Sequence, residues 1–395
     1  MEAEGMGYST FLFCDPVSAE RAGWFSGVMQ EAASTVSGES QVNVTVFLTG
    51  DALFSLVDSR SRSSWNRIGD LPSVRIIADG DELRLQGLLH SVSSQAQEIH
   101  ITGGGEHDPF WECVVSTLKT HRPGMKRAAF LLCNSPYMSR VPVYMLRFFS
   151  RVQKAGLVPE MYNYLDGVHT LHNGQRPSEF ENIGRGVSAL ANSGALSGRD
   201  TWFAACSRCA TARGYYQMNP GTGFCEPASC IQEIAIRPLK EILARFFQDH
   251  PIVSHFSGEC VLDERAKDAP HLVVFITSPP YCSEWTFGGL SLAVAAAMDG
   301  MRTTVVFIED GVFALHGTHD VPENDKIFNI QEMVAVTTDV GCLRYFVHSP
   351  SLNERGIAVS DDFSLIRKVS DAGLASILFG KEPGEHSPIV RMIFF

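Results

Sequence analysis

Cys206, Cys209 and Arg213 lie close together in TWFAACSRCATARGYY, the stretch from Thr201 to Tyr216. It opens as an apolar β-run, Thr201 to Ala205, and breaks at a Cys-x-x-Cys pair followed by Arg213-Gly214. A cysteine where a strand hands over to a helix meets the helix's unpaired amides and positive dipole end, and both favour a thiolate. Arg208 and Arg213 add positive charge nearby. The chemistry implied is thiol exchange, with Cys206 as a reactive sulfur carrier. The plainer alternative is a buried core thiol, since free cysteine packs as a small hydrophobe. Cys209 has two readings of its own: a thiol that resolves a persulfide or disulfide, or an unreactive neighbour on the same helix side.

Cys225 and Cys230, in NPGTGFCEPASC, extend the pattern to C-x2-C-x15-C-x4-C. That approaches zinc-ribbon spacing, with a second pair wider than usual. Four thiolates from Cys206, Cys209, Cys225 and Cys230 would close a structural zinc or iron-sulfur site and end the carrier role. The carrier reading needs no cofactor. His169 and His172, and His316 and His319, follow acidic turns and suit either metal binding or plain solvation. Cys14, Cys133 and Cys342 lie in or beside apolar runs and read as buried hydrophobes.

The elements that position these residues recur three times. First strands read TFLFCD from Thr10, AAFLLCN from Ala128 and HLVVFITS from His271; the helices that follow are capped by Ser18, Ser139 and Ser283. A second strand then ends in an acidic turn: VTVFLTGDALFSL with Asp51, PEMYNYLDGVHTL with Asp166 and TTVVFIEDGVFAL with Asp310. A later landmark is DELRLQGL around Arg84 and Gly87, CSRCATARGY around Arg213 and Gly214, and SLNERGIAV around Arg355 and Gly356. Closing strands are expected near Ile99, Val253 and Leu378. Strands alternating with helices imply an α/β chain of three tandem, doubly wound parallel-sheet domains. Their expected limits are 1–122, 126–262 and 270–380, with a tail at 381–395 whose apolar end should dock on a neighbouring surface.

Composition bounds the role. The chain has 395 residues, 45% hydrophobic and 19% charged, a globular mixture with no apolar run long enough to span a membrane. Its net charge of -12 argues against extended contact with nucleic acid or anionic membranes. Ten cysteines are too few for a disulfide framework. The acidic N-terminus is unlike a signal peptide, so the expected compartment is cytoplasmic, with reduced thiols.

The succession of first strand, Asp-Gly-Val turn and Cys followed by Arg-Gly resembles the DsrE/DsrF/DsrH superfamily, whose tRNA-thiolation members are TusD, TusC and TusB. FIEDGVFAL and SLNERGI are similar to the DsrF/TusC type, AACSRCATARGY to DsrE/TusD, and DELRLQGL to a degenerate, DsrH/TusB-like copy. In that family three subunits form a heterotrimer that pairs into a hexamer, and the DsrE/TusD cysteine carries a persulfide. The resemblance implies a fused pseudo-trimer, with Cys206 as persulfide acceptor and Asp166, Gly167 and Arg213 beside it. It further implies a TusA-like sulfur donor, a DsrC/TusE-like acceptor, tRNA thiolation or dissimilatory sulfur metabolism as the destination, and a homodimer as one assembly. The first copy has Gly50-Asp51-Ala52 in place of Asp-Gly-Val, and the third has no thiol near its Arg-Gly.

Overall fold

The computed structural model describes residues 7–35, 42–95, 98–103, 109–121, 124–196, 201–246, 252–255, 259–263, 271–322, 326–379 and 390–395. The boundary residues 122–123 and 264–270 and the tail residues 381–389 lie outside them.

Among the described residues, strands and helices alternate into three five-stranded sheets and one two-stranded ribbon. The middle sheet runs Ala235–Arg237, Trp202–Cys206, Val158–Asn163, Arg127–Leu132, Ile252–His255, parallel throughout. The third runs Arg367–Val369, Leu343–His348, Thr303–Phe307, His271–Ile276, Val390–Phe394, also parallel throughout. In both, the strands numbered along the chain lie in the order 4-3-2-1-5. Strands His271–Ile276 and Thr303–Phe307 are buried at every residue. A parallel strand covered on both faces requires such a continuous apolar run rather than alternation.

The first sheet departs from the expected all-parallel form. Its four strands, Gly7–Phe13, Val42–Leu48, Val74–Ala78 and Ile99–Ile101, keep the same order, but the fifth place is taken by Glu259–Asp263. That segment, assigned from sequence to the middle domain, runs antiparallel to Gly7–Phe13, with Phe13 opposite Glu259 and Ser9 opposite Asp263. It covers the row of backbone groups that an edge strand would otherwise leave unpaired.

The closing strands also differ from expectation. Ile99–Ile101 occupies the fourth place of its sheet and Ile252–His255 the fifth, so the two are not equivalent. Leu378 is in a helix, Asp371–Phe379, where Leu374, Ala375 and Leu378 make one buried stripe at helical spacing. The third sheet takes its fifth strand from the tail, where Met392 to Phe395 are buried.

By packing, the chain divides into two compact units, one of Met1–Ile77, Gly87–His100 and Gly258–Phe395, the other of Ala78–Gln86 and Ile101–Ser257. The first holds the first and third sheets, joined through helix Ala19–Thr35. Trp24 of that helix stacks on Phe275 and Phe394 at 5.7 and 6.0 Å between ring centroids. Arg21 meets the buried carboxylate of Glu309 through Nε at 2.8 Å and Nη2 at 2.7 Å, and the Trp24 indole donates to the same carboxylate. In the second unit, helix Val141–Lys154 packs Phe148 and Phe149 near Phe130. Arg140, just before that helix, and Tyr144 and Arg147 within it converge on buried Glu82. Of the predicted caps only Ser18 directly precedes its helix; the cap places before Val141–Lys154 and Trp285–Met298 are taken by Arg140 and Glu284, neither with a side-chain cap hydrogen bond. Ser18 accepts from the Arg21 amide, while Ser139 and Ser283 each accept from the amide two residues on.

Candidate active site

Each sheet's second strand runs into a seven-residue 3-10 turn: Gly50–Leu56, Leu165–Leu171 and Glu309–Leu315. The first residue of each is left-handed, with φ of 58°, 47° and 53° at Gly50, Leu165 and Glu309. Only the first uses glycine, so the other two hold side chains in a conformation that costs on the order of 1–2 kcal/mol. Two residues on, a Cβ at Gly167 would overlap the carbonyl oxygen of Leu132, and one at Gly311 that of Ile276. This close approach to the end of the first strand is why those turns read Asp-Gly-Val.

Each third strand leads straight into a residue that caps a short helix: Cys206 and His348 end their strands and Asp79 follows directly on its own, capping Ser207–Ala212, Ser349–Arg355 and Gly80–Leu85 respectively. Cys206 is therefore at the strand-to-helix break, as its sequence predicts. Seven residues after each cap stand Gln86, Arg213 and Arg355, each before a left-handed glycine, Gly87, Gly214 or Gly356. The Arg84 landmark of the first copy is thereby corrected. Arg84 pairs at the surface with Asp81 at 2.6 Å, and Gln86 holds the place of the arginines. His348, unmarked in the sequence reading, stands where the middle sheet has Cys206. Only the common distance to the Arg-Gly pair could have signalled it.

Cys206 is 1% exposed and Cys209 7%. They occupy the cap and the third helical position, whose side chains face each other across a first turn. The Cys209 thiol donates to the Cys206 sulfur, and this is the leading cause that draws Cys206 down to about 7 from the ordinary 9.0. Burial opposes it; the amides of Cys209 and Arg208 and the Arg208 guanidinium assist, although no amide closes a true cap hydrogen bond on the sulfur. Donating to Cys206 and burial together push Cys209 far up, while the Leu165 amide works the other way. In the third sheet the same bond is drawn with oxygen: the Glu309 amide donates to Ser351 Oγ at 2.9 Å.

Arg213 is turned to the acidic turn. Its Nε and Nη2 bond Asp166 Oδ1 at 2.9 and 2.6 Å. His169 approaches the same carboxylate at 4.0 Å and shares a 2.9 Å hydrogen bond with the Tyr215 hydroxyl. Cys133 is the neighbour that sequence reasoning missed. It is fully buried at the end of the first strand, and burial, with the charges of Asp166 and Cys206, raises it well above an ordinary thiol. Of the other two cysteines read as buried, Cys14 is buried, but Cys342 is exposed beyond the start of its strand.

The four cysteines of the metal alternative are not brought together. Cys225 is exposed on the ribbon Tyr216–Met218/Cys225–Pro227, and the Cys230 thiol is turned to the carbonyls of Tyr215 and Ala228. Cys230 instead lines an open cleft of about 480 Å³ with His172, Arg176, Asn182 and Arg185. Among the described residues no group of three or more His, Cys, Asp or Glu is placed to hold a metal. In the third sheet His316 bonds the Ala358 carbonyl, and His319 the Tyr281 hydroxyl and the Phe313 carbonyl. Among the described residues no helix is long and apolar enough to cross a membrane.

Residues 271–378 match the model of the DsrE/DsrF-like family. The match covers the third sheet up to its closing strand and leaves Cys206 outside it. A solved structure, the ychN protein from E. coli, aligns with 19% identity and a TM-score of 0.27, over 33% of this chain and 100% of its own. No curated protein matches the chain. The DsrE-like family is associated in general with sulfur relay.

Proposed function

We propose that this protein is a persulfide sulfur carrier, with Cys206 taking sulfur from a donor persulfide and passing it on. The observation that carries the reading is the cap position of Cys206, where the Cys209 thiol and two backbone amides favour a thiolate near neutral pH. Thiol exchange works best when the attacking sulfur titrates near ambient pH, and it needs neither metal nor acid-base dyad. The arginine-clamped acidic turn beside the thiol and the DsrE/DsrF-like segment further along the chain support it.

In this reading three DsrE-like units form a pseudo-trimer in one cytoplasmic chain. The middle one is chemically active, and the Asp79 and His348 sites serve as frame. Sulfur arrives from a small TusA-like donor and leaves to a DsrC/TusE-like thiol. Because Cys206 is 1% exposed, exchange requires the segment over it to open.

The test supplies sulfur from a cysteine desulfurase and cysteine to the Cys209→Ser chain, where a second thiol cannot compete for it. The peptide bearing Cys206 gains one sulfur atom, and the added substitution Cys206→Ser abolishes the gain. No gain on that peptide, or an equal gain without Cys206, overturns the carrier role.

A further inference from the structure

Cys206 is closed off from solvent, yet the fold sets a second buried thiol one helical turn from it. The juxtaposition is built into the chain. Cys206 ends the strand Trp202–Cys206 in an extended conformation, φ -63° and ψ 122°, and Cys209 follows at the third position of the helix begun at Ser207. Both side chains are buried. Cys209 also faces the acidic turn, because the left-handed backbone at Leu165 aims that residue's amide at the Cys209 sulfur. In the third sheet the corresponding pair is His348 and Ser351, hydrogen-bonded at 2.9 Å, with the Glu309 amide donating to the Ser351 hydroxyl. The cap and third positions are thus in contact in both sheets, and only the middle one places two sulfurs there.

The geometry points to Cys209 as a resolving thiol that discharges the Cys206 persulfide from within, releasing hydrosulfide and leaving a Cys206–Cys209 disulfide. This rests on the carrier reading and gives it a second outlet. The contact is to Sγ of Cys206, the atom that becomes the inner sulfur once the persulfide forms. Attack therefore falls on the inner sulfur. The Cys209 Sγ–Cys206 Sγ bond forms as the bond from Cys206 Sγ to the terminal sulfur breaks. The terminal sulfur leaves with the electron pair and takes the Cys209 proton, so that Cys206–S–S⁻ and Cys209–SH become the disulfide and HS⁻. Cys209 sulfur is oxidised and the terminal sulfur reduced, with no outside oxidant. The next turnover needs a dithiol reductant to reopen the disulfide. The Leu165 amide lies where it stabilises negative charge on Cys209 as its proton departs.

The experiment adds one equivalent of cysteine persulfide to the reduced full-length chain, quenches with an alkylating agent, and maps thiols, disulfides and free sulfide. The parent chain yields a Cys206–Cys209 disulfide and about one equivalent of hydrosulfide per chain above the Cys206→Ser background. A dithiol then restores both thiols and permits a second release. Cys209→Ser and Cys209→Ala, checked for native circular dichroism, keep one extra sulfur on the Cys206 peptide and release none. A parent chain that holds its persulfide as long as Cys209→Ser overturns the resolving role and leaves the carrier role standing. A disulfide mapped to Cys133 and Cys206 overturns the assignment to Cys209. Absence of added sulfur on Cys206 in every variant removes the carrier reading and this inference with it.

Discussion

Arg213 holds Asp166 with two nitrogens on one carboxylate oxygen, and Arg355 holds Asp310 in the same way at 2.9 and 2.8 Å. The clamp ties the acidic turn to the end of the short helix that carries the capping residue. Arg213 is 12% exposed in its side chain and Asp166 51%, so the ion pair alone contributes at most about 1 kcal/mol. Its larger effect is positional. Arg213→Ala is expected to lower stability by about 1 kcal/mol in urea unfolding and to slow sulfur loading of Cys206 well beyond what that loss explains. Loading at the parental rate would confine Asp166 and Arg213 to a structural role.

The thiol pair predicts a specific pH dependence. Cys206 titrates at about 7 in the folded chain against an ordinary 9.0. A depressed value stabilises the fold above the ordinary pKa, and that contribution is lost as pH falls toward the folded one. Stability should therefore rise between pH 7 and 9. Above 9 it should fall again, because Cys206 is then ionised in both states while Cys209 keeps its proton in the folded state but loses it in the unfolded chain. Thiolate ultraviolet absorbance of the folded chain should show one transition near 7. Cys209→Ala removes the leading cause and should move it up toward 9.0; a transition that stays at 7 would place the cause elsewhere.

The two Asp-Gly-Val turns make a backbone prediction. Gly167 and Gly311 face a carbonyl oxygen so closely that a methyl group cannot be added without moving the strand end. Gly167→Ala and Gly311→Ala should each cost several kcal/mol, on the order of 3, since the obstacle is backbone rather than a flexible side chain. Gly156→Ala should cost less: it follows a helix at φ 83° with open space around it, so only backbone strain of about 1 kcal/mol opposes the methyl. Chemical unfolding of the three variants orders them, and equal losses would contradict the close approach.

Much of this arrangement was legible in the chain because local rules dictate it. AAFLLCN and HLVVFITS are continuous apolar runs, as strands buried on both faces must be, and Cys206 stood at a visible break from apolar run to Cys-x-x-Cys. What was hidden depends on distant segments. Nothing near Glu259 announces that Glu259–Asp263 will pair with Gly7–Phe13, since an edge accepts any strand of suitable length and direction. Cys133 looked like core because only folding brings it near Cys206. LASILFG was misread because a short apolar run fits strand and helix equally, and burial of Leu374, Ala375 and Leu378 decided for helix.

The buried contact of Arg21 with Glu309 shows how far such a distant constraint can be tested. Their side chains are 8% and 10% exposed, and the carboxylate also accepts from the Trp24 indole at 2.8 Å. Removing one partner strands the other charge in a low-dielectric setting, at a cost of about 3–5 kcal/mol. Arg21→Met should therefore destabilise the unit strongly. Arg21→Met combined with Glu309→Met should recover a large part, because no unpaired charge remains and the Phe394 ring under Arg21 accepts an apolar neighbour. Glu309 also carries a φ of 53°, so Glu309→Gly gives up the ion pair while relieving backbone strain and should cost less than Glu309→Ala. Urea unfolding of the four variants separates the terms. If the double variant is no more stable than Arg21→Met, the pair is not held by mutual charge compensation, and the loss must be assigned to packing around Trp24.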